Sequence, residues 1–398
     1  MKRIPVTPLA WILLLCGGTA LTVSCTTVPT QSALARQAAI ESSPQWHNGK
    51  FQNSLPRKDK SIWRIIGKRL QGVNHTVPDV PLPVENRKGG EFATAPQRGL
   101  RVTWFGHSSM LIEIDGFRVL TDPVWSERIS PVSFIGPKRF FAPPMPLEEM
   151  PVLDAVIISH DHFDHLDQAT IEALKDRVAL FAVPLGVGAH LEDWGVEPER
   201  IVERDWWDEI QIDELTLTAT PARHFSGRSL PLFLNETLWC GWSIAGPKHR
   251  VYYSGDTAMF PGFAEIGRRL GPFDLTLIES GAYNEMWPDV HIGPEQAVRA
   301  HQLVRGQLMM PVHWATFDLA MHSWIEPAER LIAASRVADV KIVIPRPGES
   351  VEPASPPAIS RWWPEIPWQR AEEAPVVSSG LDTGEAEFIS LNNEMDAL

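Results

Sequence analysis

The chain reads as an α/β fold, and three features of its order predict that class. Short apolar runs of strand length alternate with amphipathic stretches of helical spacing. Several runs stop just before a His or an Asp. Ala155-Val156-Ile157-Ile158 precedes His160, Leu215-Thr216-Leu217-Thr218-Ala219 precedes His224, Arg250-Val251-Tyr252-Tyr253 precedes Asp256, and Leu308-Met309-Met310 precedes His313. Open α/β sheets gather ligands at the carboxyl ends of their strands, so four such ends predict one shared site. The composition, 44% hydrophobic and 21% charged over 398 residues, suits a large folded domain.

The first 24 residues have the layout of a secretory signal. Lys2 and Arg3 precede Leu9-Ala10-Trp11-Ile12-Leu13-Leu14-Leu15-Cys16, and small residues lead on to Ser24. The apolar run is interrupted by Gly17-Gly18 and falls short of the ~20 residues a spanning helix needs. Leu21-Thr22-Val23-Ser24-Cys25 resembles a bacterial lipoprotein cleavage box, which implies that Cys25 is lipidated. Plain secretion and an uncleaved anchor are the alternatives. Residues 26–97 then form an N-terminal segment: a Ser-, Thr-, Ala- and Gln-rich tether to about Gln45, followed by a basic stretch at 57–70. The basic stretch interleaves lysines and arginines with Trp63, Ile66 and Leu70 at helical spacing. Such a helix lies on an anionic membrane surface or docks on the domain.

The main domain is expected over 98–350. Residues 100–105 and 110–114 read as strands around the turn Gly106-His107-Ser108-Ser109. The stretch 166–174 carries Asp167 near its start and apolar residues at helical spacing, so a helix follows the His-rich loop, and Asp167 either caps it or touches the chemistry. Further helices are expected at 264–270, 294–304 and 327–335, the second with His301 on an outer face. His322 has no assigned role. Cys240 sits between Trp239 and Gly241 in an apolar segment and reads as a buried thiol. With Cys16 and Cys25 in the leader, no disulfide framework is available. Sixteen tryptophans default to core packing. Beyond residue 350 the chain turns Pro-, Glu- and Ser-rich, and 351–398 is expected to be a largely disordered acidic tail. A formal net charge of −13 argues against a nucleic-acid partner. A homodimer is left open.

The stretch from Ser159 to Asp167 carries the chemistry. It reduces to His160-x-His162-x-Asp164-His165 at the end of an apolar strand. Two histidines at i and i+2 can turn toward one metal ion, and the following Asp-His pair toward a second. Neutral imidazole and carboxylate suit zinc and similar borderline metals, and two adjacent ions make a hydrolytic centre.

This motif resembles the signature of the metallo-β-lactamase superfamily, and the later single residues His224, Asp256 and His313 follow in the expected order. The resemblance implies a four-layer αβ/βα sandwich. It implies that His160, His162 and His224 hold one ion, that Asp164, His165 and His313 hold the other, and that Asp256 bridges both. His107 would lie near the site without binding metal. Several motifs outside the ligands, Gly136-Pro137-Lys138-Arg139-Phe140, Asp205-Trp206-Trp207, Gly281-Ala282-Tyr283 and His313-Trp314-Ala315-Thr316-Phe317, are similar to the N-acylphosphatidylethanolamine-hydrolysing phospholipase D branch. That branch implies two Zn2+ ions, with iron or manganese also compatible, and a hydroxide shared by the ions as nucleophile on a phospholipid phosphodiester. Asp256 would help to orient the hydroxide, and His291 would contact phosphate or act as general acid, with a structural hydrogen-bonding role as the alternative. It also implies a bacterial envelope location, at the outer membrane and facing the periplasm, with periplasmic or inner-membrane placement as the alternative. Asp161 stands where the mammalian enzymes have Asn, and its charge is expected to disfavour an anionic substrate. A dinuclear hydrolase of carbon esters, lactones or β-lactams is the competing reading, and a non-catalytic envelope lipoprotein the third. No flavin-binding domain follows that would favour redox chemistry.

Overall fold

Two β-sheets packed face to face form the centre of the protein, seen in a computed structural model that describes residues 31–58, 67, 72, 75–228, 234–379 and 381. The chain opens with helix α1 (Gln31–Ser42) and a short hairpin, β1 (Trp46–His47) and β2 (Lys50–Phe51). It then lays down β3 (Leu100–Gly106), β4 (Ser109–Ile114), β5 (Phe117–Thr121) and β6 (Leu153–Ile157). Helix α2 (Gln168–Leu174), β7 (Val178–Pro184), helix α3 (Gly188–Asp193) and β8 (Ile201–Arg204) follow. The second half brings β9 (Glu209–Ile212), β10 (Leu215–Thr220), β11 (Gly241–Ala245), β12 (Arg250–Tyr253), helix α4 (Gly262–Leu270) and β13 (Leu275–Glu279). Helix α5 (Pro294–Leu303), β14 (Met309–Val312), helix α6 (Glu326–Val337) and β15 (Ser350–Val351) complete it.

The first sheet has the order β15-β3-β4-β5-β6-β7-β8 and the second β14-β13-β12-β11-β10-β9. Each combines an antiparallel part with a parallel part, which starts at β5–β6 in one and at β12–β13 in the other. The two halves of the chain therefore repeat one construction with no repeat in sequence. Strand side chains alternate between faces, and β4 shows what this does. Met110, Ile112 and Ile114 enter the core between the sheets, while Leu111 enters a second core outside the first sheet. In β6, Ala155 and Ile157 face inward and Val156 outward. That outer core is covered by Ile171 and Leu174 of α2 and Leu191 of α3. Strands buried on both faces need continuous apolar runs, which is why these segments read so clearly in the sequence. Helices α4 to α6 add Phe263, Ile266, Ala297 and Leu331 to the large core on the side of the second sheet. The layers are helix, sheet, sheet, helix, as expected.

Three expectations are corrected. The stretch from 31 to 45 is not a free tether. Ile40 of α1 is buried, and Arg36 bonds Glu192 and Glu203, each at 2.6 Å. Phe51 is fully enclosed and packs edge-on against Trp46. Nor is the chain beyond 350 a tail throughout. Trp363 is buried and joins Trp314, Trp362 and Trp104 in an aromatic stack with centroid spacings of 5.3 to 6.5 Å. Pro and Glu enrichment looked like disorder, but two adjacent tryptophans supply enough apolar area to hold the stretch on the domain. His301 is also not on a helix surface. It is buried against β13, with Nδ1 2.7 Å from Thr276 Oγ1, and burial lowers its imidazolium to about 4. The leader with Cys25 and most of the basic stretch at 57–70 lie outside the described residues.

Trp363→Ala should therefore destabilise the protein by about 3 kcal/mol, the usual cost of deleting a buried indole. Urea unfolding measures it. A change below about 1 kcal/mol would mean that 352–379 merely lies on the surface.

Candidate metal centre

Every site residue sits where a strand or its following turn ends. The loop after β6 supplies His160, His162, Asp164 and His165, and the segment after β10 supplies His224. The segment after β12 supplies Asp256, and His313 directly follows β14. Asp256 needs its neighbour Gly255, which has φ +57°. A Cβ there would meet the Cys240 carbonyl and the Ser159 Cβ at 2.7 Å. His107, Asp122 and His313 also take positive φ values of 51°, 32° and 64°. Such backbone is uncommon outside glycine and costs about 1–3 kcal/mol at each position, which the surrounding packing must outweigh.

Two clusters share one carboxylate. In the first, His162 Nδ1 lies 2.8 Å from His160 Nε2 and 3.3 Å from His224 Nε2. In the second, Asp164 Oδ2 lies 3.5 Å from His165 Nε2 and 3.4 Å from His313 Nε2. Asp256 Oδ2 stands between them, 3.1 Å from His165 and His313 and 3.7 to 3.8 Å from His224 and His160. The residues predicted to hold metal are thus brought together in two groups around Asp256. Asp256 Oδ1, His165 Nε2 and His313 Nε2 are buried without a hydrogen-bond partner among the described residues. Buried polar atoms are ordinarily satisfied, and orphans converging from three strand ends mark positions that suit cations.

The electrostatics agree. Burial opposes charge on Asp164 and Asp256, but the imidazoles around them outweigh it and hold both well below the carboxylate range. Burial and adjoining rings push His160 far down; burial, only partly offset by Asp256, does the same to His224, and both present the neutral form a metal requires. His165 and His313 go the other way. Burial lowers them, but the carboxylates overcome it, raising His165 well above its ordinary value and His313 to about 10. Positive charge is favoured at the second cluster, and a dication supplies it in place of protons.

An outer ring of residues aims the inner ones. Asp122, at the end of β5, accepts from His165 Nδ1 at 2.6 Å, from the Ser159 amide at 2.7 Å and from the Tyr253 hydroxyl at 2.5 Å. Its grip fixes the His165 tautomer and turns Nε2 to the site. The Val290 carbonyl does the same for His224 at 3.0 Å. His107 Nε2 is 3.0 Å from Asp164 Oδ2 and orients that carboxylate, as expected of a supporting residue. Glu279, fully buried at the end of β13, lies 2.7 Å from His291 Nδ1. Sequence reasoning missed Asp122 and Glu279. Both stand at strand ends, in Thr121-Asp122-Pro123 and Ile278-Glu279-Ser280, and the rule that located His224 and Asp256 would have found them.

Asp161 is held in place by two partners. Its carboxylate accepts from the Gly227 amide at 2.7 Å and pairs with His190 at 3.5 Å, and its charge acts on the neighbouring His162. Asp167 caps α2 by position and binds the amides of Trp125 and Ser126. Cys240 is a buried free thiol. His322 stacks on Tyr283 at 4.3 Å, apart from the clusters. The C-terminal stretch reaches the site as well. Ser379 donates to Asp289, two residues before His291, and Asp289 pairs with Arg223 beside His224.

The clusters open into a cavity of about 550 Å³ whose walls include Phe225, Leu234, Trp287 and Leu319. His291 faces it, and at one side the Arg57 guanidinium lies 4.4 Å over the Phe225 ring.

This site and sandwich define a class. The chain belongs to the β-lactamase superfamily of metal-dependent hydrolases, whose family model, described as a Beta-lactamase superfamily domain, matches residues 117–314. Within it, the chain is 37% identical over 269 residues to N-acyl-phosphatidylethanolamine-hydrolyzing phospholipase D 1 of Caenorhabditis elegans, spanning 64% of this chain and 74% of that protein. An uncharacterised protein of Mycobacterium tuberculosis is 46% identical over 344 residues, 83% of this chain and 90% of its own length. The outer membrane protein RomA of Klebsiella pneumoniae is 40% identical over 101 residues, 25% of this chain and 75% of that protein. Among solved structures, an isothiocyanate hydrolase from Delia radicum gut bacteria shares the fold, with a TM-score of 0.51 at 22% identity over 63% of this chain and 98% of that one.

Asp122→Ala should lower metal affinity by roughly 10- to 100-fold, because it frees the ring of His165. Titration with a chelator, followed by metal analysis, reads the change. His301→Ala, equally buried but remote from the clusters, should leave affinity intact and cost about 1–3 kcal/mol of stability.

Proposed function

We propose that the protein is a phosphodiesterase of phospholipase D type, cleaving N-acylphosphatidylethanolamine or a related glycerophospholipid with two Zn2+ ions. The observation that carries this reading is the pairing of a two-cluster metal centre with a largely apolar cavity directly above it. Apolar walls at Phe225, Leu234, Trp287 and Leu319 accept the aliphatic parts of a lipid, while the clusters lie where its phosphate would reach. The similarity to a relative named for this activity supports the same substrate class.

His160, His162 and His224 would hold one ion, and Asp164, His165 and His313 the other, with Asp256 shared. Bound there, two dications supply an activated water at neutral pH and stabilise the charge that develops on the phosphoryl group. The protein's own residues do the remainder. Asp256 is placed to accept a hydrogen bond from the attacking water and align it. Glu279 holds Nδ1 of His291 and leaves the other ring nitrogen toward the cavity. Burial, only partly offset by Asp256, holds the His291 imidazolium down to about 4, so the ring is neutral at rest and able to pass a proton on. The attacking water gives a proton to His291 as its oxygen bonds to phosphorus, the bond from phosphorus to the distal alcohol oxygen breaks, and His291 returns the proton to that oxygen so that a neutral alcohol leaves. The products are phosphatidate and an N-acylethanolamine.

We place the protein in a bacterial cell envelope, anchored by a lipid on Cys25 and facing the periplasm. The cleavage-box resemblance and the partial similarity to an outer membrane protein support this. Among the described residues no helix is long and apolar enough to cross a membrane.

Mass spectrometry of lipid products tests the chemistry. Wild type should yield phosphatidate with no fatty acid from the glycerol backbone, and Asp256→Asn should lose metal together with at least 100-fold in rate, on the scale of a key electrostatic group. Release of fatty acid, or hydrolysis of lactones with diesters untouched, would replace this reading with the carbon-ester one.

Cell fractionation tests the anchor. Cys25→Ser should move the protein from the membrane fraction to the soluble periplasmic fraction, whereas retention with an intact N-terminus would show an uncleaved anchor.

A further inference from the structure

One surface element is used neither by the core nor by the metal centre. Between β5 and β6 the chain forms a hairpin closed by the bridge Arg128–Lys138, by the Ile129 amide on the Pro137 carbonyl at 3.2 Å and by the Arg139 amide on the Glu127 carbonyl at 2.9 Å. Its tip, Ile129-Ser130-Pro131-Val132-Ser133-Phe134-Ile135-Gly136-Pro137, contains no charge. Val132, Phe134 and Ile135 are 39%, 75% and 55% exposed, and Phe134 is the most exposed large apolar side chain among the described residues. Gly136, at φ +101°, makes the return possible, since a Cβ there would meet Ser130 at 2.7 Å. An apolar tip in water is costly, and Val132, Phe134 and Ile135 at its end do not fold back onto the domain.

The base is as rigid as the tip is bare. The guanidinium of Arg139, itself buried, donates to the carbonyls of Val124 and Phe105 at 2.7 and 3.1 Å, and the Phe140 amide donates to Thr316 at 2.9 Å. Ile129 packs with Val124, Phe317, Phe163 and Leu319. Phe163 lies between His162 and Asp164 on the metal loop, and Leu319 is a wall of the cavity. The tip is therefore fixed at the cavity's end of the molecule. The charges at its base suit a lipid headgroup layer. Arg128 and Lys138 stand opposite each other across the two strands, Arg128 donating to the Gly136 carbonyl at 2.6 Å and Lys138 pairing with Glu127 at 2.6 Å, so the base carries two cations and one carboxylate. Next to phosphate groups the two cations are favourable, with the apolar tip one layer deeper.

From these observations we infer that the 129–137 hairpin inserts its apolar tip into a phospholipid bilayer, with Arg128 and Lys138 at headgroup level, and sets the cavity mouth against the membrane surface. The inference deepens the phospholipid reading and rests on it for the nature of the partner. It assigns a membrane contact to the catalytic domain itself, independent of any lipid on Cys25.

Hydrogen exchange of the full chain, followed by mass spectrometry, tests it without reading turnover. Vesicles of phosphatidylethanolamine with about one third phosphatidylglycerol mimic an anionic envelope surface. Their addition should slow exchange in the peptide covering 129–137 at least tenfold. The double substitution Phe134→Ser/Ile135→Ser should abolish that protection, while exchange in the sheets stays as in wild type and so reports an intact fold. Unchanged exchange at the tip of vesicle-bound protein, or no vesicle binding, would overturn the inference. So would protection that rises with protein concentration in the absence of vesicles, which marks self-association. Tip protection without phosphodiester cleavage would keep the inference and remove the substrate reading alone.

Discussion

The structure depends on holding two carboxylates and a ring of imidazoles out of water at one end of a β-sandwich. Unpaired, each such charge would be prohibitively costly to bury. Asp256 makes the arrangement feasible because five histidines approach one of its oxygens within 3.8 Å. Its position follows in turn from Gly255 and from the close passage of the Cys240 carbonyl. A change in how β11 and β12 pair would move this carboxylate and break both clusters at once. The sandwich sets a geometry that the strand ends then use.

Support for that geometry comes from unexpected parts of the chain. Asp122 ties the metal loop to Tyr253 on the opposite sheet, so one carboxylate links the two halves of the sandwich behind His165. Asp289 is held by Arg223 on one side and by Ser379 on the other. The segment that carries Val290 and His291 is thereby fixed by the far end of the chain. Residues that touch no substrate decide where the inner nitrogens point.

Much of this was legible from sequence because the physics was local. Strands buried on both faces show as unbroken apolar runs, and helices α4, α5 and α6 show as helical spacing. The metal residues stand out because His and Asp rarely cluster after such runs. What stayed hidden depends on distant partners. His301 has a polar side chain on a helix, and only the approach of Thr276 makes burial acceptable. Residues 352–379 have the composition of a disordered tail, and their order comes from Trp362 and Trp363 meeting Trp314 about 50 positions earlier.

That aromatic junction has a consequence for how the molecule is made. Trp314 directly follows His313, and the residues that cover it, Trp362 and Trp363, are synthesised well after it. While the chain is still emerging, β14 is present but its outer cover is not, and Asp289 lacks its Ser379 partner. Domains fold as units once their sequence is available, so this one closes only after residue 379 has emerged. A chain interrupted between His313 and Ser379 therefore has its histidines in order but lacks the contacts that hold Trp314 and Asp289.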